Sequence, residues 1–243
     1  MPIIFTLDCS YEYVLELVLL LPRHRLALPS ILRPHSARKD MAIKLYHCKR
    51  SRSLRPLWTL EELGLDYELI TMQFPPRLTY EGYLEINSLG TVPTLVDGDV
   101  TLTESTAMTL YLAEKGGPTN LTVAPSEPDY GLFLNWLHRS DATLTFPLTL
   151  VLRYTQHEPE ERKNPQIVED YTKWFFSRLR CVEAALEDRE YLCAERFTVA
   201  DISIGFSLVF AESLGLADSF KPNTARYLTR LKQRPAFQCA YNL

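Results

Sequence analysis

Val92-Pro93-Thr94-Leu95-Val96-Asp97-Gly98-Asp99-Val100-Thr101-Leu102-Thr103-Glu104-Ser105 is the stretch on which the fold turns. Two short apolar, β-branched runs flank Asp97-Gly98, a turn pair, so Val92 to Val96 and Val100 to Leu102 read as a β-hairpin. A helix follows from about Ser105 to Lys115 and stops at Gly116-Gly117-Pro118. Upstream, Ile43-Lys44-Leu45-Tyr46 alternates as a strand does. Ser53 can cap a helix from Leu54 through Leu57, Trp58 and Leu60 to Leu63, with Pro56 tolerated in its first turn and Gly64 ending it. Tyr67-Glu68-Leu69-Ile70 is a second strand, which makes the opening a βαβ unit. The order β-α-β, loop, β-β-α suits a small α/β domain.

Downstream of Pro128 the strand signals stop and helical periods take over. The clearest helix has Asn164 as cap and Pro165 at its first position, and it sets Val168, Tyr171, Phe175, Leu179, Val182 and Leu186 along one face. Two more run from Asp201 to about Gly215 and from Pro222 to Leu231. The expected organisation is an extension over 1–40, an α/β domain over 41–119 and an all-helical domain over 126–243. The extension carries an apolar run from Tyr13 to Leu21, too short to span a bilayer and preceded by Asp8 and Glu12 where a secretory signal wants positive charge. Met41, which opens the regular strand pattern, is the expected functional start.

Composition narrows the function classes. The chain has 243 residues, 46% of them hydrophobic, enough for a sizeable core. A formal net charge of -4 gives no electrostatic reason to bind nucleic acid or an anionic membrane. Cys9, Cys48, Cys181, Cys193 and Cys239 form no CxxC pair and no zinc spacing, and the five histidines form no HExxH. A reducing, cytoplasmic compartment and no structural metal are expected.

Four local patterns give this order of elements a family. Tyr46-His47-Cys48-Lys49-Arg50-Ser51-Arg52-Ser53-Leu54-Arg55-Pro56 joins the first strand to a helix ending Leu60-Glu61-Glu62-Leu63-Gly64. Asn87-Ser88-Leu89-Gly90-Thr91-Val92-Pro93-Thr94-Leu95, Leu102-Thr103-Glu104-Ser105-Thr106-Ala107 and Phe197-Thr198-Val199-Ala200-Asp201-Ile202-Ser203 follow. Together they resemble the cytosolic glutathione S-transferases, in particular bacterial-type members with a serine-containing active-site loop. The resemblance implies a thioredoxin-like βαβ-ββα domain followed by an all-helical domain. It also implies glutathione as co-substrate, a small hydrophobic electrophile as second substrate and a homodimer.

The resemblance also implies roles. A hydroxyl in the first loop lies beside the glutathione sulfur, near a helix N-terminus that favours the thiolate. A thiol has a pKa near 8.5, and a drop of about two units is worth roughly 2.7 kcal/mol of preference for the thiolate. Ser51 and Ser53 are the candidates, Ser51 ahead because Ser53 is the better cap. Arg50 or Arg52 is an alternative, acting by charge. Val92, ahead of a proline that is cis in the family, offers its backbone N–H and C=O to the cysteinyl backbone of glutathione, with Pro93 shaping the loop. Glu104 takes the γ-glutamyl ammonium, and Ser105 with the free N–H groups of the helix start takes the γ-glutamyl carboxylate. Thr198 and Asp201 form a capping box with a folding role. The aromatic residues Trp136, Phe146, Tyr154, Trp174 and Phe175 lie in the half that walls the second-substrate pocket in this family. Two other functions stay open at this point: a non-catalytic glutathione-binding or interaction module, and a glutathione-dependent thiol reductase using Cys48.

Overall fold

The computed structural model describes residues 43–117 and 119–243. The extension over 1–40 and the start at Met41 lie outside the described residues. The chain begins with strand β1 (Ile43–His47), helix α1 (Leu54–Leu63) and strand β2 (Tyr67–Thr71). Two single-turn helices, α2 (Pro76–Thr79) and α3 (Tyr83–Ile86), lead to β3 (Thr94–Asp97), β4 (Val100–Leu102) and α4 (Ser105–Lys115). The sheet order is β2-β1-β3-β4, with β1 parallel to β2 and antiparallel to β3. This is the thioredoxin-like arrangement.

Helix α1 stops where its local chemistry requires, because Gly64 at φ 60° provides the left-handed residue that closes it. The hairpin differs from expectation in two details. Val92 and Pro93 precede the strand, and Asp97 pairs with Val100 as the last strand residue, so the turn falls on Gly98 and Asp99. Ser53 also departs from expectation: it sits at the N-cap position of α1 but makes no capping bond. Its hydroxyl turns inward instead, to partners described below.

The remaining elements of the described chain are all helical. Helix α5 (Tyr130–Arg139) continues through a π-helical segment, Ser140–Thr145, into α6 (Phe146–Leu152), and a second π segment follows at Arg153–His157. Pro147 explains the first widening, since it has no N–H for the carbonyl one turn back, and the Phe146 N–H bonds the Asp141 carbonyl five residues behind. Helix α7 (Pro165–Ala185) has its Asn164 cap in place, accepting from the N–H groups of Gln166 and Ile167. Phe175, Leu179, Val182 and Leu186 of its expected face are buried.

Helix α8 (Val199–Ser213) is buried almost throughout and opens on the expected capping box of Thr198 and Asp201. Asp201 also accepts from Tyr227 Oη at 2.7 Å and from the Leu192 N–H at 3.1 Å, so the box anchors two further segments. Helices α9 (Pro222–Lys232) and α10 (Pro235–Asn242) complete the chain. The halves share one core. Trp58 of α1 is fully buried against Phe197 and Phe237, and a Cβ on Gly205 of α8 would stand 2.8 Å from Leu231 and 3.1 Å from Trp58. No helix of the described residues is long and apolar enough to cross a membrane.

Candidate active site

Topology gathers three connections at one end of the sheet. The chain leaves β1 at His47, enters β3 at Thr94 and leaves β4 at Leu102, and the register aligns Tyr46 with Thr94 and Leu95 with Leu102. The loop with Ser51 and Ser53, the Val92-Pro93 segment and the Glu104-Ser105 corner therefore emerge side by side. Residues far apart in sequence share an edge because an antiparallel β3 returns to the level at which β1 ends.

The middle segment is held rigidly. Asn87 Nδ2 donates to the Thr91 carbonyl at 2.9 Å and to Thr94 Oγ1 at 3.0 Å, while Tyr83 Oη donates to the same carbonyl at 2.6 Å. Gly90 takes φ 62°, and a Cβ there would lie 2.9 Å from Arg77 Cβ, so conformation and space both demand glycine. The Val92-Pro93 peptide is cis. Neither the N–H nor the C=O of Val92 joins a hydrogen bond among the described residues. Two adjacent backbone groups are thus left unengaged at this end of the sheet.

The corner after β4 places Glu104 at the N-cap position of α4. Glu104 is exposed, and its carboxylate makes no ion pair or hydrogen bond among the described residues. Ser105 is buried at the first position of α4, and its hydroxyl accepts from Arg55 Nη1 at 2.9 Å. That bond leaves the hydroxyl proton and the first N–H groups of α4 for an anion.

The loop after β1 carries the hydroxyls. Ser51 is half-buried, and its Oγ lies 2.7 Å from Ser53 Oγ. Ser53 is fully buried, and its Oγ lies 2.8 Å from His47 Nδ1, accepts from the Cys48 N–H at 3.3 Å and stands 3.1 Å from the Cys48 carbonyl. Arg50 is exposed at φ 60°. Arg52 points to the helical half instead, with Nε 3.0 Å from Asp141 Oδ1 and Nη2 3.0 Å from Thr149 Oγ1. Its charge is already engaged. Cys48 is buried, and burial pushes its thiol up to about 11, so it is protonated at neutral pH and unsuited to attack.

Three residues essential to this geometry have no distinctive sequence signal. His47 is buried, and burial, with a contribution from the Lys49 charge, pushes it down to about 4. Arg55 is fully buried in α1 and donates to Ser105, to Asp141 Oδ1 at 2.9 Å and to Thr145 Oγ1 at 2.8 Å, with its guanidinium over the Phe206 ring. Burial lowers its pKa to about 10, against the pull of Asp141, and it stays charged. For Asp141, burial acts upward, but the charges of Arg55 and Arg52 outweigh it and hold the carboxyl below its usual range. A charged residue among the apolar ones that open α1 is the only hint of Arg55 in the sequence.

Of the aromatic residues in the helical half, Trp136 and Phe175 are core, whereas Phe146 and Trp174 stand about half exposed. A cavity of about 240 Å³ opens beside the first loop, lined among others by His47, Arg50, Leu54, Phe206 and Phe210.

A thioredoxin-like sheet with these three connections at one end, followed by a helical half, defines a glutathione transferase-type fold. Residues 41–114 match the family model "Glutathione S-transferase, N-terminal domain". Glutathione S-transferase 3 of Schizosaccharomyces pombe is 30% identical over 211 residues, spanning 82% of this chain and 86% of that protein. GstA of Escherichia coli O157:H7 is 29% identical over 82% of this chain and 96% of its own. The chain belongs to the glutathione S-transferase family. Among solved structures, BphK, a bacterial family member in a ternary complex, superposes with TM-score 0.73 at 27% identity, covering 82% of this chain and 98% of that one. Glutathione transferase URE2P6 of Phanerochaete chrysosporium, in complex with oxidized glutathione, superposes with TM-score 0.72 at 28% identity, over 82% and 94% of the two chains.

Proposed function

We propose that this protein is a glutathione transferase in which Ser51 donates to the glutathione sulfur and so favours the thiolate. The arrangement that carries the reading is the single sheet end where the Ser51 hydroxyl, the unengaged Val92 backbone and the Glu104-Ser105 corner lie together. Glutathione is an extended tripeptide analogue with an anion at one end, an amino-acid head at the other and a thiol between. The cysteinyl backbone pairs with the N–H and C=O of Val92, with Pro93 fixing the turn. The γ-glutamyl ammonium meets Glu104, and its carboxylate meets Ser105 and the N-terminus of α4.

Once bound, the thiol loses its proton to solvent, and the thiolate supplies the electron pair for a new carbon–sulfur bond to an electrophilic carbon, whose displaced pair departs with a leaving group or, where the carbon belongs to an activated double bond, moves along that bond and takes up a proton from solvent. The second substrate is a small hydrophobic electrophile. A two-fold dimer suits the exposed Leu78, Leu84 and Leu89 between β2 and β3, which a second copy would cover. The cytoplasm is the compartment this chemistry needs, since glutathione is abundant and reduced there.

Glutathione titrated into the full chain at neutral pH, followed by the ultraviolet absorbance of bound thiolate, tests the site. A saturable signal is expected. Ser51→Ala is expected to cut turnover about 10- to 100-fold, the worth of one hydrogen bond to a charged group, with the KM for glutathione little changed. Unchanged turnover removes Ser51 from the chemistry. Binding detected only as heat, without thiolate, points to a non-catalytic binding module.

A further inference from the structure

We propose that Ser53 and His47 are positioning residues which, through a chain of hydrogen bonds, leave the Ser51 hydroxyl only its proton to offer and so commit it to donating to sulfur. This rests on the reading of Ser51 as the sulfur contact.

The inference follows from counting protons and lone pairs. A serine hydroxyl has one proton and two lone pairs, and a neutral imidazole has one N–H. His47 is neutral, so its single proton is on Nδ1 or on Nε2. Among the described residues His47 Nε2 is buried with no hydrogen-bond partner, and an orphaned N–H donor there is costlier than an unfilled acceptor. The proton therefore belongs on Nδ1, which donates to Ser53 Oγ across 2.8 Å. The Cys48 N–H fills the second lone pair of Ser53. The Ser53 proton then has two acceptors, Ser51 Oγ at 2.7 Å and the Cys48 carbonyl at 3.1 Å, and the shorter contact takes it.

Ser51 Oγ now accepts from the Ser53 hydroxyl and from the Ser53 N–H at 3.3 Å. Both of its lone pairs are used. What remains is its proton, on the half-buried side that faces away from Ser53. A serine free to rotate can accept from a neutral thiol as readily as it donates to a thiolate. This one is held to the second role, and each bond in the chain polarises the next. Ser53, which fails to cap α1, is thus taken up by a different task. Its burial and its four polar neighbours explain why the cap is absent.

Two readouts on the full-length chain test the proposal. The first needs no substitution: ¹⁵N spectra of the histidine rings at neutral pH report the tautomer of His47, and Nδ1–H with a bare Nε2 is expected. Finding Nε2–H overturns the proposal, because Ser53 would then donate to His47 and Ser51 would spend its proton on Ser53. The second is the pKa of bound glutathione, read from thiolate absorbance against pH. Ser53→Ala and His47→Phe are each expected to raise it by about one unit, a tenfold loss of thiolate at fixed pH below the pKa. Glutathione affinity measured by heat is expected to stay within about threefold. His47→Asn, whose amide N–H replaces Nδ1–H, is expected to keep the thiol near its original pKa.

If Ser51→Ala raises the thiol pKa while Ser53→Ala and His47→Phe leave it alone, the positioning chain is wrong and the role of Ser51 stands. If Ser51→Ala also leaves it alone, or the unaltered chain shows no thiolate, the reading of Ser51 falls and the chain with it.

Discussion

Arg55 Nη1 and Asp141 Oδ1 lie 2.9 Å apart, joining the helix after the first strand to the π segment of the helical half. Arg55 is fully enclosed, and Asp141 is its one anionic hydrogen-bond partner among the described residues. Removing that charge leaves a buried guanidinium uncompensated, which costs more than the pair contributes. Asp141 is about one-third exposed, so solvent offsets part of the cost. Asp141→Asn is expected to destabilise the fold by about 2–3 kcal/mol, read from the urea midpoint at constant slope. A change under about 0.5 kcal/mol would show that the pair carries no net stabilisation.

His47 couples stability to mild acid. Its folded pKa, about 4, lies below the ordinary 6.5, so between these values the unfolded chain binds one more proton than the native one. The stability it contributes is fully present above pH 6.5 and is lost as pH falls toward 4. The slope from this residue approaches about 1.4 kcal/mol per pH unit inside the window. His47→Phe is expected to flatten the denaturation-midpoint profile between pH 6.5 and 4, whatever it does to the midpoint at neutral pH.

Glu104 separates binding from chemistry. Its carboxylate is exposed and makes no bond within the described chain, so replacing it disturbs little of the fold. Glu104→Gln is expected to raise the KM for glutathione about tenfold, the loss of one charge-assisted contact, with kcat nearly unchanged. A fall in kcat at constant KM would place Glu104 near the reacting sulfur instead.

Gly205 is a matter of space. A methyl at this position would press on Leu231 at 2.8 Å and on Trp58 at 3.1 Å, both buried and closely packed. Gly205→Ala is expected to cost about 1–3 kcal/mol by overpacking, despite the better helix propensity of alanine. Thermal denaturation checks it, and an unchanged or higher Tm would mean that α9 can shift outward at no cost.

Local signals made much of the fold readable. Helix α4 runs from Ser105 to Lys115 as expected, and Gly64, Asn164 with Pro165, and the Thr198–Asp201 box mark their helix ends because each acts on backbone groups within a few residues. The hairpin was readable to within one residue at its turn and two at its start. The π segments were not legible, since they express a balance between Pro147 and the packing of Asp141 that no short window contains. The short α2 and α3 and the terminal α10 were equally hidden. A four-residue helix has almost no periodicity, and α10 is defined by the burial of Phe237 against Trp58.

The candidate site divides in the same way. Sequence by itself determined which residue types stand in the three loops, the family they resemble, and hence the positions of Ser51, Val92, Pro93, Glu104 and Ser105. Tertiary structure decided what the polar atoms do. It turned Ser53 from a cap into a buried bridge between His47 and Ser51, engaged Arg52 and Arg55 with Asp141, and raised the pKa of Cys48 out of use. The reason is range. Turn, cap and strand preferences act within a few residues, whereas burial and hydrogen-bond direction depend on neighbours that lie as far off as Asp141, 86 positions from Arg55 along the chain.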